Sequence, residues 1–217
     1  MEQDLLHLID AGRRGAVADL LESEPAAASI RAADGVSPVL YALYRGQRDI
    51  ADLLLAAGAP VDVFVASALG LDQRLERILA EQRDRAASYS PDGWTPLHLA
   101  AFFGSVGAAG ILLEAGADPS AVAHNAQANH PLHSACAGRR SLVAILLLDH
   151  GAEPDVPAGG VTPLMIAAAN GLTVVVTRLL QAGADPARRS PQGKAAMDYA
   201  VSGGWLDVQE ILRRGKT

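Results

Sequence analysis

Paired aliphatic residues mark this chain at nearly even intervals: Leu20-Leu21, Leu54-Leu55, Ile78-Leu79, Leu112-Leu113, Leu147-Leu148, Leu179-Leu180 and Ile211-Leu212. The second members of these pairs lie 34, 24, 34, 35, 32 and 32 residues apart. Apolar positions around them fall at i, i+3 and i+4, as in Leu142, Ile145 and Leu146, the spacing that gives a helix one buried stripe. A glycine-alanine step follows three residues after the pair at Gly58-Ala59, Gly116-Ala117, Gly151-Ala152 and Gly183-Ala184. Glycine suits the left-handed turn that ends a helix. A proline precedes the pair by 17 residues at Pro38, Pro96, Pro131 and Pro163. Proline in the first helical turn loses no hydrogen bond, and the Ser37, Thr95 and Thr162 before it are good caps. Each interval thus predicts two short helices, the first opening at the proline and the second closing at the glycine.

A longer motif recurs in phase with the pairs. Thr95-Pro96-Leu97-His98-Leu99-Ala100-Ala101 returns as His130-Pro131-Leu132-His133 and Thr162-Pro163-Leu164-Met165, and in degraded form as Ser37-Pro38-Val39-Leu40 and Ala195-Ala196-Met197-Asp198. A period near 33 residues with a Thr-Pro-Leu-His opening resembles the ankyrin-repeat family, two antiparallel helices and a β-turn finger per unit. The resemblance covers nearly all 217 residues. It implies an all-α repeat solenoid, a stack of about seven helix pairs with short β-turn fingers. Such units touch only their neighbours, so residues 1–217 are expected to form a single domain. Its N-terminal cap would run over about 1–30, its internal repeats over about 31–190 and its C-terminal cap over about 191–217.

The end units depart from the pattern, as units facing water on one side should. The first carries Asp4, Asp10, Arg13, Arg14, Asp19 and Glu22 among its apolar residues and has no Thr-Pro opening. The last ends in Arg213-Arg214-Gly215-Lys216, cations that suit a helix C-terminus. The third unit is the anomaly. Its spacing of 24 is about ten residues short, and Gly58-Ala59-Pro60 runs straight into Val61-Asp62-Val63-Phe64. Two helices are expected near Asp62 to Leu69 and Asp72 to Ala80, with no finger before them. That would leave a notch between the fingers at Asp34-Gly35 and Pro91-Asp92, either a tolerated deletion or a groove widened for a partner.

In the ankyrin-repeat family, partners meet the finger tips and the exposed face of the first helices, on the concave side. Carried over by position, the resemblance implies contacts at Val36, Tyr44 and Arg45 in the second unit and at Ala68 and Leu69 in the third. In the fourth it picks out Trp94, Phe102 and Phe103. Asn129, Ala137 and Gly138 follow in the fifth, Val161, Ala169 and Asn170 in the sixth, and Lys194, Ser202 and Gly203 in the seventh. Nine residues are aromatic, and Tyr89, Trp94, Phe102 and Phe103 all fall in the fourth unit, beside the notch. Trp, Tyr and Arg are the residue types most enriched among interface hot spots, and an apolar cluster at exposed positions would mark a contact site. The competing reading has Phe102 and Phe103 fold back to fill the space of the missing finger.

Bulk properties narrow the partner. The net charge of −6 and isoelectric point near 5.4 argue against general nucleic-acid binding. Met1-Glu2-Gln3-Asp4 lacks the basic start and apolar run of a secretory signal, and no stretch reaches the roughly 18 apolar residues of a membrane span. One cysteine, Cys136, fits a reducing cytoplasm. The expectation is a monomeric cytoplasmic module, without cofactor, that binds another protein and neither nucleic acid nor membrane. Lys194 and Lys216 are the only lysines beside many arginines, and alanine is abundant, a bias that suggests a bacterial genome.

Catalytic chemistry finds little support. His98 and His133 occupy the histidine of the motif, where the family resemblance implies a structural bridge between neighbouring loops. His124, His130, His133 and Cys136 combine zinc-ligand residue types in a spacing that matches no common zinc motif; they carry the alternative of a metal-dependent enzyme or metal-binding protein. A second alternative is an orphan structural repeat protein. Gly104, Gly107 and Gly110 resemble a phosphate loop only in number, lacking a preceding strand and a Lys-Ser/Thr, and read as close packing. Arg188, Arg189 and Lys194 make the last finger basic.

Overall fold

The computed structural model describes residues 2–215, with side chains from Asp4 onward; Lys216, counted among the C-terminal cations, lies outside them. Fourteen α-helices follow one another in seven pairs among the described residues. They are α1 (Glu2–Asp10) with α2 (Arg14–Ser23), α3 (Pro38–Tyr44) with α4 (Arg48–Ala56), and α5 (Val63–Leu69) with α6 (Asp72–Glu81). Next come α7 (Pro96–Phe103) with α8 (Val106–Glu114) and α9 (Pro131–Ala137) with α10 (Ser141–Asp149). Then follow α11 (Pro163–Ala169) with α12 (Thr173–Ala182) and α13 (Ala196–Ser202) with α14 (Leu206–Arg214). First helices pack on first helices and second on second, giving the two layers of an all-α repeat solenoid. Ladder pairing is limited, among the described residues, to one antiparallel bridge between Ala158 and Val161.

Local chemistry sets the helix ends where the sequence places them. Pro38, Pro96, Pro131 and Pro163 each open a helix. The Oγ of Ser37 and the Oγ1 of Thr95 and Thr162 each accept a bond of 3.3 Å from a backbone N–H three residues on. Where no Ser/Thr-Pro exists, Asp62 substitutes. Its Oδ1 accepts from the N–H groups of Phe64 and Val65 at 3.1 and 2.9 Å, a good N-cap for α5. The third unit thus has the two expected helices and no finger.

The glycine after each second helix is also explained. Gly58, Gly116, Gly151 and Gly183 have φ of 89°, 97°, 83° and 109°, a region costly for residues with a Cβ. Two units have no glycine there: Glu24 and Gln82 stand three residues past Leu21 and Leu79. Both residues adopt extended φ near −140° (−138° and −142°), and each is followed by a short 3₁₀ turn, Pro25–Ser29 and Arg83–Ala87. Neither turn follows from the repeat pattern.

Apolar burial holds the layers together. Leu54, Leu75, Leu97, Leu112, Leu147 and Leu179 are fully buried, and buried residues from Leu5 to Leu212 form one continuous cluster. Ala100, Ala101, Ala167 and Ala168 are fully buried in the first helices, where small side chains let neighbouring backbones approach. The expected stripe on α10 needs correction. Leu142 is 70% exposed, and Val143, Ala144 and Leu147 are the buried residues, because α10 is apolar on more than one face and the pattern alone cannot rank its faces. Of the three glycines read as closely packed, Gly107 abuts Asp72 and Gly104 abuts Arg140, but a Cβ on Gly110 would meet open space.

At five of the six junctions, a side chain from the next unit bonds to a carbonyl at or near the end of a first helix. Gln47 Nε2 donates to Ile9 O (2.7 Å), Ser105 Oγ to Ala68 O (3.1 Å) and Arg140 Nε to Phe102 O (3.1 Å). Asn170 Nδ2 donates to Cys136 O (3.1 Å) and Trp205 Nε1 to Ala169 O (2.8 Å). The junction between the second and third units has no such bond among the described residues. There α3 meets α5 less closely than α5 meets α7, and α4 and α6 scarcely touch. An exposed pair, Arg31 Nη2 to Asp62 Oδ2 at 3.2 Å, links the two units, and exposed pairs contribute little.

Leu112→Ala and Leu147→Ala should each lower the unfolding free energy by about 2–5 kcal/mol, read from urea unfolding. A loss below about 1 kcal/mol would place these residues outside the core. The thin junction should be the weakest seam of the array. In native-state hydrogen exchange, amides of α3 and α4 are expected to lose protection at lower urea than those of α7 to α12. Simultaneous loss throughout would refute the seam.

Candidate partner-binding surface

The missing finger does not leave an open notch. A Cβ on Gly35 would lie 3.1 Å from Pro91 Cβ, so the second and fourth fingers close up tip to tip. This overturns the expected gap: about ten residues fewer draw the flanking fingers together. What remains is a cavity of about 540 Å³ bordered by Arg31, Asp62, Phe64, Arg74 and Tyr89.

The fourth finger is a tight turn. Ser90 N–H donates to Trp94 O and Gly93 N–H to Ser90 O, each at 2.8 Å. Ser90 Oγ donates to Asp92 Oδ1 at 2.6 Å and accepts from Trp94 N–H at 2.9 Å. The fifth finger seats on it through His124 N–H to Gly93 O (2.8 Å) and Asn125 Nδ2 to Asp92 O (3.2 Å). Asp92 is thereby fixed at the rim of the first-helix face. Tyr44, at the end of α3, crosses the whole third unit to donate its hydroxyl to Asp92 Oδ2 at 2.8 Å. Burial and the carboxylates of Asp92, Asp34 and Asp62 push the Tyr44 phenol well above its usual range.

These groups frame a pocket of about 460 Å³ on the first-helix side, walled by Tyr44, Trp94, Leu99 and Phe102 and bounded across the next unit by Asn129 and Ala137. Phe102 is 43% exposed. Phe103 is half-buried against the core and lies between Tyr44, stacked at 6.2 Å, and Phe102, edge-on at 5.2 Å. The two readings of this pair divide: Phe103 fills space and Phe102 faces solvent.

Of the residues carried over by position, Tyr44, Trp94, Phe102, Asn129 and Ala137 meet at this pocket. Val36 does not, and it is corrected. It is 2% exposed, because its apolar side chain turns inward where the second finger closes through Ala32 N–H to Val36 O. Ala68 is likewise buried, at 4% exposure. Tyr89 falls elsewhere. Its ring stacks on His124 with centroids 3.6 Å apart, and its hydroxyl donates to Val122 O; it follows the unexpected 3₁₀ turn, which sets it at the base of the finger, away from Trp94. Arg45 turns to the first unit, paired with Asp10 at 2.7 Å and stacked over Tyr41. Val161 accepts a bond from His133, Asn170 holds Cys136 O, and Lys194 is exposed over Tyr199. Asp92 and Leu99 were not anticipated. Asp92 could have been found as the one carboxylate beside Trp94 on the finger.

The motif histidines bridge units. His98 Nε2–H donates to Asn129 O at 2.9 Å while Nδ1 takes the Thr95 hydroxyl at 2.7 Å. A carbonyl can only accept, so Nε2 carries a proton; the Thr95 backbone N–H can only donate to Nδ1, so Nδ1 carries none and the ring is neutral. His133 Nε2–H donates to Val161 O at 3.1 Å in the same way. Burial holds both rings down to about 4 and pushes the Cys136 thiol up to about 12. The metal alternative gains nothing from this arrangement. His130 Nδ1 bonds Ser120 O, His124 stacks on Tyr89, and among the described residues no group of three or more His, Cys, Asp or Glu could hold a metal ion.

The comparisons with known proteins follow the same repeats. The family description "Ankyrin repeats (3 copies)" matches residues 63–158, and "Ankyrin repeat" matches 159–191. "Ankyrin repeat protein nuc-2" of Neurospora crassa is 30% identical over 84% of this chain and 18% of that protein. Human "Transient receptor potential cation channel subfamily A member 1" is 29% identical over 97% of this chain and 20% of its own length. Mouse "Ankyrin repeat and SOCS box protein 16" is 43% identical over 46% of this chain and 23% of its own. The chain spans less than a quarter of each. All three are eukaryotic; the bacterial source expected from the arginine bias rests on composition alone. Among the described residues, no helix is long and apolar enough to cross a membrane.

Neutral buried histidines make stability depend on pH. In the unfolded chain imidazole binds a proton near pH 6.5, in the fold only near 4. Between these values the unfolded state holds more protons, so stability is full above about 6.5 and falls as pH drops. At pH 5 the loss relative to pH 7.5 should be about 2 kcal/mol per histidine. Urea unfolding of wild type and His98→Gln at both pH values tests this, and an equal pH loss in both proteins would remove His98 as a source.

Proposed function

We propose that this chain, which belongs to the ankyrin-repeat family, is a non-catalytic module that binds a partner protein through its fingers and first-helix face. Members of the family generally serve as protein-interaction modules. The observation that carries the reading for this chain is Phe102, a large apolar ring left 43% exposed at the mouth of a pocket walled by Tyr44 and Trp94. An exposed aromatic at a cavity rim is the kind of anchor on which binding energy concentrates. Arg45, Val161, Asn170 and Lys194 would lie at the margins of such a contact, and the buried Val36 has no part in it. The working compartment is taken to be the cytoplasm and the working unit a monomer.

Affinity purification from native cells followed by mass spectrometry identifies the partner, and variants then locate its seat. Phe102→Ala should weaken binding by about 2 kcal/mol or more, roughly 30-fold, while changing stability by no more than about 0.5 kcal/mol. Phe103→Ala, removing a half-buried ring, should cost about 1–3 kcal/mol of stability. Full retention of the partner by both Phe102→Ala and Trp94→Ala would sink this assignment.

A further inference from the structure

The pocket on the first-helix face has one ionic group. Asp92 is the carboxylate in its wall, His98 in the same wall is held neutral, and no lysine or arginine lines it. The carboxylate is fixed by two neutral donors, Ser90 Oγ and Tyr44 Oη. It forms no ion pair among the described residues, and a carboxylate with two such bonds keeps acceptor capacity. Arg140 does not line the pocket and is bonded to Phe102 O. Acidic groups prevail nearby: Asp34 and Asp62 act on Tyr44 together with Asp92, and Arg31 offsets only Asp62, with which it pairs. Around the carboxylate stand Trp94, Phe102 and Tyr44, whose faces attract cations as well as apolar stems.

We propose that this pocket receives an arginine or lysine side chain from an extended segment of the partner protein, its aliphatic stem along Phe102 and Trp94 and its cation on Asp92. The volume of about 460 Å³ accommodates such a side chain with room to spare. A hydrophobic anchor would leave the Asp92 carboxylate desolvated and unpaired, and an acidic anchor would be repelled by it. The proposal rests on the reading of this face as the binding surface.

A random linear-peptide library displayed on phage, selected in parallel against wild type, Asp92→Asn and Phe102→Ala, tests it. The wild-type pool should be enriched in one anchored arginine or lysine. Its peptides should bind at least tenfold more weakly to Asp92→Asn and to Phe102→Ala, and several-fold more weakly at 300 than at 50 mM salt. Exchange of the anchor for norleucine in the peptide, which leaves the protein untouched, should have the same effect as Asp92→Asn. Peptides with an apolar or acidic anchor that need Phe102 but ignore Asp92→Asn would overturn the cationic assignment and leave the binding surface standing. Peptides indifferent to both variants, or no enrichment at all, would count against both.

Discussion

No helix pair in this chain can bury its own apolar stripe, and everything else follows from the need for a neighbour to cover it. Alanines at the contacts bring adjacent first helices close enough to exclude water. That exclusion creates a second demand, because the last carbonyls of a helix have no intrahelical donor. Gln47, Ser105, Arg140, Asn170 and Trp205 meet it from the next unit. The residue type differs each time while the geometric task stays the same, so no sequence motif marks it. The histidines of the Thr-Pro-Leu-His openings do the equivalent work on the finger side, and there the task did select one residue. A neutral imidazole both accepts from its own loop and donates to the next one.

Much of the fold was legible because its signals are local and repeated. Proline at a helix start, glycine after a helix and an aliphatic pair inside one each answer to the backbone of their own unit, and the helices of even the shortened third unit fell within a residue or two of expectation. What was not legible depends on context. Glu24 and Gln82 occupy the glycine position with side chains that disfavour positive φ, and the chain leaves by a 3₁₀ turn instead. The substitution was visible, but its consequence required knowing that the glycine is there for its φ. Leu142 matched the periodicity and is exposed, since a helix apolar on several faces carries no information about which is covered. Val36 held a family contact position, yet a β-branched apolar side chain beside a tight finger gains more inside than out.

The candidate site was legible in part, for a related reason. Trp94 and Phe102 stand at positions defined within one repeat, and they are found together. The participation of Tyr44 with Asp92 could not be read from any single repeat, because it joins the second unit to the fourth. Ten missing residues do not open the array. They let two fingers meet and bring a tyrosine from one side of the deletion within 2.8 Å of a carboxylate on the other.

That crossing also ties the site to the weakest part of the molecule. The second and third units lack the carbonyl bond that secures the other junctions, their outer helices scarcely touch, and the Tyr44–Asp92 bond and Tyr44–Phe103 stack bridge the seam from the first-helix side. Binding surfaces are often drawn from the less stable regions of a protein. A partner that contacts Tyr44 and Phe102 together binds only the closed seam, and by mass action it stabilises that state over one in which the first two units swing or fray away. The cost of keeping the seam closed is then subtracted from the affinity. Any change that tightens the junction without touching the pocket, such as a side chain on the third unit able to reach the carbonyls at the end of α3, would raise affinity through the same link. In this array the deletion sets both the shape of the pocket and the free energy needed to hold that shape.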